Sequence, residues 1–161
     1  MILEQTAARQ TKLLSLLRRE FGLSAGLVKR LKWQNAFFLD GAPVHTNARV
    51  KPGQEITVRI EEAPEGFLPQ ALPIDILYED AYMIALDKPA GQLVHPSPRK
   101  NEGTLANALL GYYERTDQPC GIHPVTRLDR DTFGVVLLAK NAHIHCKAFR
   151  RLKYKTQVFL A

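Results

Sequence analysis

Apolar residues recur at helical spacing near the start of the chain. Leu13, Leu14, Leu17 and Phe21 follow Thr11 on one side, Lys12, Arg18 and Arg19 lie on the other, and Gly22 is placed to end the helix. Ser24 is a good N-cap for a second helix over 25–32, in which Leu27, Val28 and Leu31 form an apolar stripe that leaves Lys29, Arg30 and Lys32 to solvent. From Ala36 the period shortens to two. Phe37-Phe38-Leu39 runs into Asp40-Gly41, a type I′ hairpin signal, and Ala42-Pro43-Val44 reads as the return strand, made an edge by Pro43. Val50-Lys51-Pro52-Gly53 predicts another turn, after which Ile56, Val58 and Ile60 alternate with Thr57 and Arg59 as a half-buried strand. Two helices and a small sheet are expected to close one compact unit over 1–62.

Residues 61–73 carry three prolines, one glycine and three glutamates, so an exposed connector is expected over 63–73. A second domain over 74–161 follows. Strands are predicted at 74–78 and 82–86, then a loop through Asp87-Lys88-Pro89-Ala90-Gly91, and Thr104 can cap a helix over 105–113. The apolar run Val135-Val136-Leu137-Leu138-Ala139 reads as a buried strand, Asn141 as the cap of a last helix over 142–151, and Val158-Phe159-Leu160-Ala161 as the start of a further strand. The fold class expected is α+β, the second domain being a mixed sheet with flanking helices.

Composition narrows the class. At 161 residues, with 45% hydrophobic and 24% charged positions, the chain reads as globular protein, and no run approaches the roughly 18 consecutive apolar residues of a membrane span. Its first residues have neither the basic start nor the apolar core of a signal peptide, so a cytoplasmic location without membrane partners is expected. Two cysteines, Cys120 and Cys146, are too few for a stapled secreted scaffold. The net charge of +6 is unevenly spread. Residues 1–60 hold ten Lys/Arg against four Asp/Glu, whereas 61–161 hold twelve of each. Such a basic patch binds polyanions by neutralising phosphates, or else is simply a solvated helix face.

The densest polar cluster of the second half is Thr126-Arg127-Leu128-Asp129-Arg130-Asp131-Thr132-Phe133-Gly134, directly before the buried strand. Two carboxylates alternating with two guanidiniums can pair locally as a surface salt-bridge loop, or can project one carboxylate toward a ligand while an arginine holds a phosphate. A projected carboxylate could serve as nucleophile or general base.

From Pro124 to Asn141 this stretch resembles the central H-R-L-D-x-x-T-S-G motif, strand and A-K of the RluA-type pseudouridine synthases. Ile76-Leu77-Tyr78-Glu79-Asp80, the segment from Ile84 to Pro96 with its Asp87-Lys88-Pro89-Ala90-Gly91, and Gly103-Thr104-Leu105-Ala106-Asn107-Ala108-Leu109 are similar to that family as well. The first unit, with its 23–32 helix, the Asp40-Gly41 hairpin and Val50-Lys51-Pro52-Gly53, resembles the alpha-L RNA-binding motif that many of these synthases carry. The resemblance implies that Asp129 attacks a flipped uridine, at either the sugar or the pyrimidine ring, and that no cofactor or metal is needed. It implies that Arg127 and Arg130 hold the RNA backbone and fill the vacated space, and that Asp131 and Thr132 brace the loop. With the charge distribution, it marks Arg18, Arg19, Lys29, Arg30 and Lys32 as RNA-binding, the RNA being ribosomal in preference to transfer RNA.

The sequence departs from the family at Thr126, where His is usual, and at Phe133, where Ser is usual. Lys155 to Ala161 only approximates the family's K-x-Y motif, with Phe159 in the Tyr position, and the later cationic motif is missing, so a truncated or inactive form is expected. The alternatives are a non-catalytic RNA-binding protein derived from such a synthase and a structural zinc site, for which Cys120-x-x-His123 and His143-x-x-Cys146 have the spacing. His95 is expected to order its own loop, the alternative being an acid or base; Trp33, Tyr112 and Tyr113 could stack on bases, but core packing or partial surface burial is expected of them, and none is placed in a site.

Overall fold

The structure, a computed structural model, describes residues 1–62 and 65–158, with the backbone alone over 153–158. The chain divides into two compact units, Met1–Glu61 and Glu62–Ala161.

In the first unit, strand β1 (Ile2–Thr6) and the short β2 (Thr11–Lys12) lead into helices α1 (Leu13–Arg19) and α2 (Ala25–Trp33). Strands β3 (Phe37–Leu39), β4 (Ala42–Pro43), β5 (Arg49–Val50) and β6 (Glu55–Arg59) follow. The main sheet has the order β1-β6-β3-β4, with β4 and its proline at the edge, and β2 pairs with β5 separately. Asp40 and Gly41 both have positive φ, 48° and 79°, as a type I′ turn requires. The Asp40 carboxylate accepts from Glu55 N at 2.8 Å and Gln54 Nε2 at 2.7 Å, which ties the turn to β6 and holds its pKa below the usual carboxylate value. Ser24 Oγ caps α2 by accepting from Leu27 N at 3.1 Å. The core joins Leu13, Leu16 and Leu17 of α1 and Leu27, Val28 and Leu31 of α2 with Phe37, Ile56, Val58 and Ile60. Leu14, expected inside, stands 46% exposed, because the buried phase of α1 runs through Leu13, Leu16 and Leu17.

The second unit contains β7 (Asp75–Glu79), β8 (Met83–Lys88), α3 (Leu105–Arg115), β9 (His123–Pro124), β10 (Gly134–Ala139) and α4 (Ala142–Val158). Its sheet has the order β7-β8-β10-β9, and every described pairing is antiparallel, where a mixed sheet was expected. Ile84, Leu86, Val136 and Leu138 form the covered face of the sheet, packed with Leu105, Ala106, Leu109 and Tyr113 of α3. Thr104 and Asn107 form a capping box at the start of α3.

Residues 65–73, expected as an exposed connector, are laid against α3 in this unit. Gln70 N donates to Asn107 O at 3.0 Å, Asn107 Nδ2 donates to Leu68 O at 2.8 Å, and Gln70 Oε1 accepts from Gly103 N at 2.6 Å. Phe67 and Ile74 pack on the core, which gives this proline-containing segment apolar anchors that its composition hid. A second correction concerns the end of the chain. Val158, expected in a strand, lies in α4, whose helix runs past 151; Phe159, Leu160 and Ala161 lie outside the described residues.

Candidate functional site

Asp129 sits in a turn before β10, its carbonyl accepting from Thr132 N at 3.2 Å. Its side chain is exposed, and among the described residues it has no hydrogen bond or ion pair. The local pairing open from sequence goes to its neighbour. Arg130 Nε and one terminal nitrogen donate to the two carboxylate oxygens of Asp131 at 3.0 and 3.1 Å, a forked pair at the surface. The hydrogen bond with Arg130 lowers the pKa of Asp131, and Asp131 raises that of Arg130. Arg130, expected to hold RNA, therefore has its guanidinium engaged, while Arg127 is exposed and unpaired among the described residues.

The turn is held from below by a residue to which sequence reading assigned no role. Lys88, at the end of β8, is fully buried, and its Nζ donates to Pro89 O at 2.7 Å, Gln92 O at 2.8 Å and Arg130 O at 3.0 Å. The same Arg130 oxygen accepts from Gly91 N at 2.8 Å. One carbonyl next to Asp129 thus ties the 88–92 loop to the aspartate turn. The signal was present in the strand phase: Ile84, Leu86 and Lys88 share one face of β8, so a lysine falls where an inward residue belongs. Gly134, with φ 131°, lets the chain pass from the turn into β10. A cleft of about 380 Å3 adjoins these loops, walled by Ile74, Asp75, Asp87, Pro89, Leu105 and Phe133; Asp129 is not among its walls.

In the first unit Arg18 and Arg19 are exposed at the end of α1, and Lys29 and Lys32 on α2. Arg30, expected at the surface with them, is half-buried and has a partner, so α2 presents two free-standing lysines and not three cations. Tyr112 and Tyr113 are taken up in packing. Tyr112 donates to Glu79 at 2.7 Å, and Tyr113 is buried under Lys140, whose Nζ bonds Glu79 and Gln118. Burial opposes ionisation of Glu79, but its bonds from Lys140, Tyr112 and Gln118 outweigh it and lower the pKa. The zinc alternative fails on geometry: among the described residues no three His, Cys, Asp or Glu side chains converge to hold a metal. His123 bonds Glu62 at 2.9 Å, while His143 is buried alone. His95 meets the Phe67 ring edge-on.

Residues 82–156, which include both tied loops, match the RNA pseudouridylate synthase family. Most of the second unit lies within that match. The uncharacterized RNA pseudouridine synthase of Aquifex aeolicus is 33% identical over 142 residues, covering 84% of this chain and 45% of that protein. The ribosomal large subunit pseudouridine synthase D of Pseudomonas aeruginosa is 34% identical over 119 residues, 73% of this chain and 37% of that protein. Its namesake in Nitrosomonas europaea is 34% identical over 125 residues, 76% of this chain and 36% of that protein. The chain spans less than half the length of these relatives.

Within this unit the two departures from the RluA-type motif have physical roles. Thr126 Oγ1 accepts from Leu137 N at 2.9 Å, so the hydroxyl closes the loop onto β10. Phe133 is 77% exposed and forms part of the cleft wall, where serine would offer a hydroxyl instead. The position compared with the family's tyrosine, Phe159, lies outside the described residues.

Proposed function

We propose that this chain carries the uridine-isomerising core of an RNA pseudouridine synthase, with Asp129 as nucleophile and the basic first unit gripping the RNA. The reading is supported above all by the state of Asp129: an exposed carboxylate with no ion pair among the described residues, on a turn whose backbone is fastened to a buried lysine. Asp131 meanwhile occupies the adjacent guanidinium. The substrate in this reading is structured ribosomal RNA in preference to transfer RNA, met in the cytoplasm; its support is that relatives are named for the large ribosomal subunit.

The target uridine leaves its stack at a cost of about a few kcal/mol. The Asp129 carboxylate attacks either C1′ of the ribose or C6 of the pyrimidine. Either way the N1–C1′ bond breaks, the base turns, a C5–C1′ bond forms, the bond from Asp129 to C1′ or C6 breaks to return the free carboxylate, C5 gives up its proton and N1 gains one. The sum is an isomerisation, so no redox partner enters its balance. Arg127 is the cation left to hold a flanking phosphate or fill the gap in the stack.

RNA carrying tritium at C5 of its uridines reports the reaction as tritium released to water. The chain is expected to release tritium, and Asp129→Asn or Asp129→Ala to reduce the rate by about 10³-fold or more while leaving RNA affinity unchanged. Retained binding with no release by the unaltered chain at any concentration would overturn the enzymatic reading. A non-catalytic RNA-binding protein would then stand, a reading favoured by the confinement of the positive excess to residues 1–60. In that case neutralising Lys29 and Lys32 still flattens the salt dependence of binding.

A further inference from the structure

Trp33 is the sole tryptophan of the chain and, at 80% exposure, the most exposed large hydrophobic side chain among the described residues. It ends α2, away from the buried stripe of Leu27, Val28 and Leu31. Helical spacing puts Lys29 one turn before it on the same side, and Lys32 precedes it directly; both lysines are exposed. After Trp33 the chain reverses through Asn35, whose φ is 49°. The reversal opens a small cleft of about 90 Å3 lined by Gln34, Asn35, Phe38, Arg59 and Glu61, in which the Arg59 guanidinium lies 4.5 Å over the centre of the Phe38 ring. A bare aromatic face, two lysines and a row of amide groups thus succeed one another along one end of the unit.

We infer that Trp33 is a stacking platform for an unpaired RNA base, with Lys29 and Lys32 taking the flanking phosphates and the Gln34 and Asn35 amides facing the base edge. The inference rests on the RNA-gripping role proposed for the first unit and specifies what that unit grips. A bare indole would suit an apolar protein surface equally, but an apolar partner would leave the two lysines beside it desolvated and unpaired. Phosphates match them, and residues 1–60 as a whole carry a net positive charge. A paired base hides its faces in the duplex, so the platform selects loops, bulges and ends.

Because no second indole contributes, fluorescence excited at 295 nm reads Trp33 alone. The full chain is titrated with an RNA hairpin bearing a five-nucleotide unpaired loop and, separately, with a fully paired RNA duplex of equal phosphate number. The hairpin is expected to quench the emission, and the duplex to leave it largely unchanged. Trp33→Ala should weaken hairpin binding about tenfold, with Trp33→Phe recovering part of the loss. Duplex binding and the salt slope should stay as they were, whereas Lys29→Gln with Lys32→Gln lowers the slope. The exposed position makes a folding defect in Trp33→Ala readily separable, since its circular dichroism should match that of the unaltered chain. Hairpin binding without quenching, and at full strength in Trp33→Ala, sinks the platform and leaves RNA binding intact. No binding of either RNA by the folded chain sinks both. An emission shift that depends on protein concentration without RNA assigns the indole to a contact between copies of the chain and also overturns the inference.

Discussion

At Lys88 three carbonyl oxygens converge on one ammonium in a position closed to solvent, so its three protons and their acceptors match. Methionine would keep most of the stem and delete all three bonds. Each orphaned buried acceptor costs about 1–3 kcal/mol, though the Arg130 oxygen would keep the Gly91 amide. Lys88→Met is expected to lower unfolding stability by about 2–4 kcal/mol in urea titrations. It should also slow tritium release more than it weakens RNA binding, because the backbone beside Asp129 loses its anchor. Unchanged stability would mean that the buried ammonium is dispensable.

Among the elements, α3 illustrates a packing requirement invisible to periodicity. Gly111 lies where a Cβ would come within 2.2 Å of the Gln70 carbonyl oxygen, a backbone atom that cannot swing aside. Alanine in a helix gains about 1 kcal/mol over glycine, but forcing this contact apart costs about 1–3 kcal/mol and releases the 65–73 segment, so the clash prevails. Gly111→Ala should lower the melting temperature and expose the stretch around Phe67 and Leu68 to limited proteolysis. The capped helices α2 and α3, the Asp40-Gly41 turn and strands β6, β8 and β10 were legible because each has a local signature: Ser24, Thr104, paired positive-φ residues, or alternation. Strand β1 was not. Only Leu3 and Gln5 turn inward in Ile2–Thr6, and its place is set by pairing with β6, about fifty residues away. The continuation of α4 past 151 likewise has no sequence punctuation to mark it, since Lys153 to Gln157 neither break nor cap a helix.

For the molecule as a whole, the charge asymmetry and the Asp129 loop could be read from the sequence, and together they pointed to RNA chemistry. What could not be read was how charges are apportioned: Asp131 takes Arg130, Arg30 turns inward, and Lys88 serves the backbone. Burial also governs acid sensitivity. His143 is 1% exposed, and neither ring nitrogen has a hydrogen-bond partner. Desolvation, with Lys147 and Arg150 adding repulsion, pushes its pKa down to about 4. An unfolded chain takes up the proton near pH 6.5 while the fold refuses it, so stability is full above 6.5 and falls toward pH 4 by up to about 1.4 kcal/mol per pH unit. Glu79, Asp40, Asp80 and Asp131 have lowered values, and their contributions are lost only below the ordinary carboxylate range. Urea midpoints between pH 7 and 5 should therefore fall in the unaltered chain and flatten in His143→Leu; equal slopes would assign the effect elsewhere.

The oxygen of Arg130 has a mechanical meaning beyond its bonds. A single peptide group acts as the hinge pin of two loops distant in sequence, so neither can swing without dragging the other. Any nucleotide that pried open the 88–92 side would carry Asp129 with it, and the reach of that carboxylate is thereby geared to the far rim.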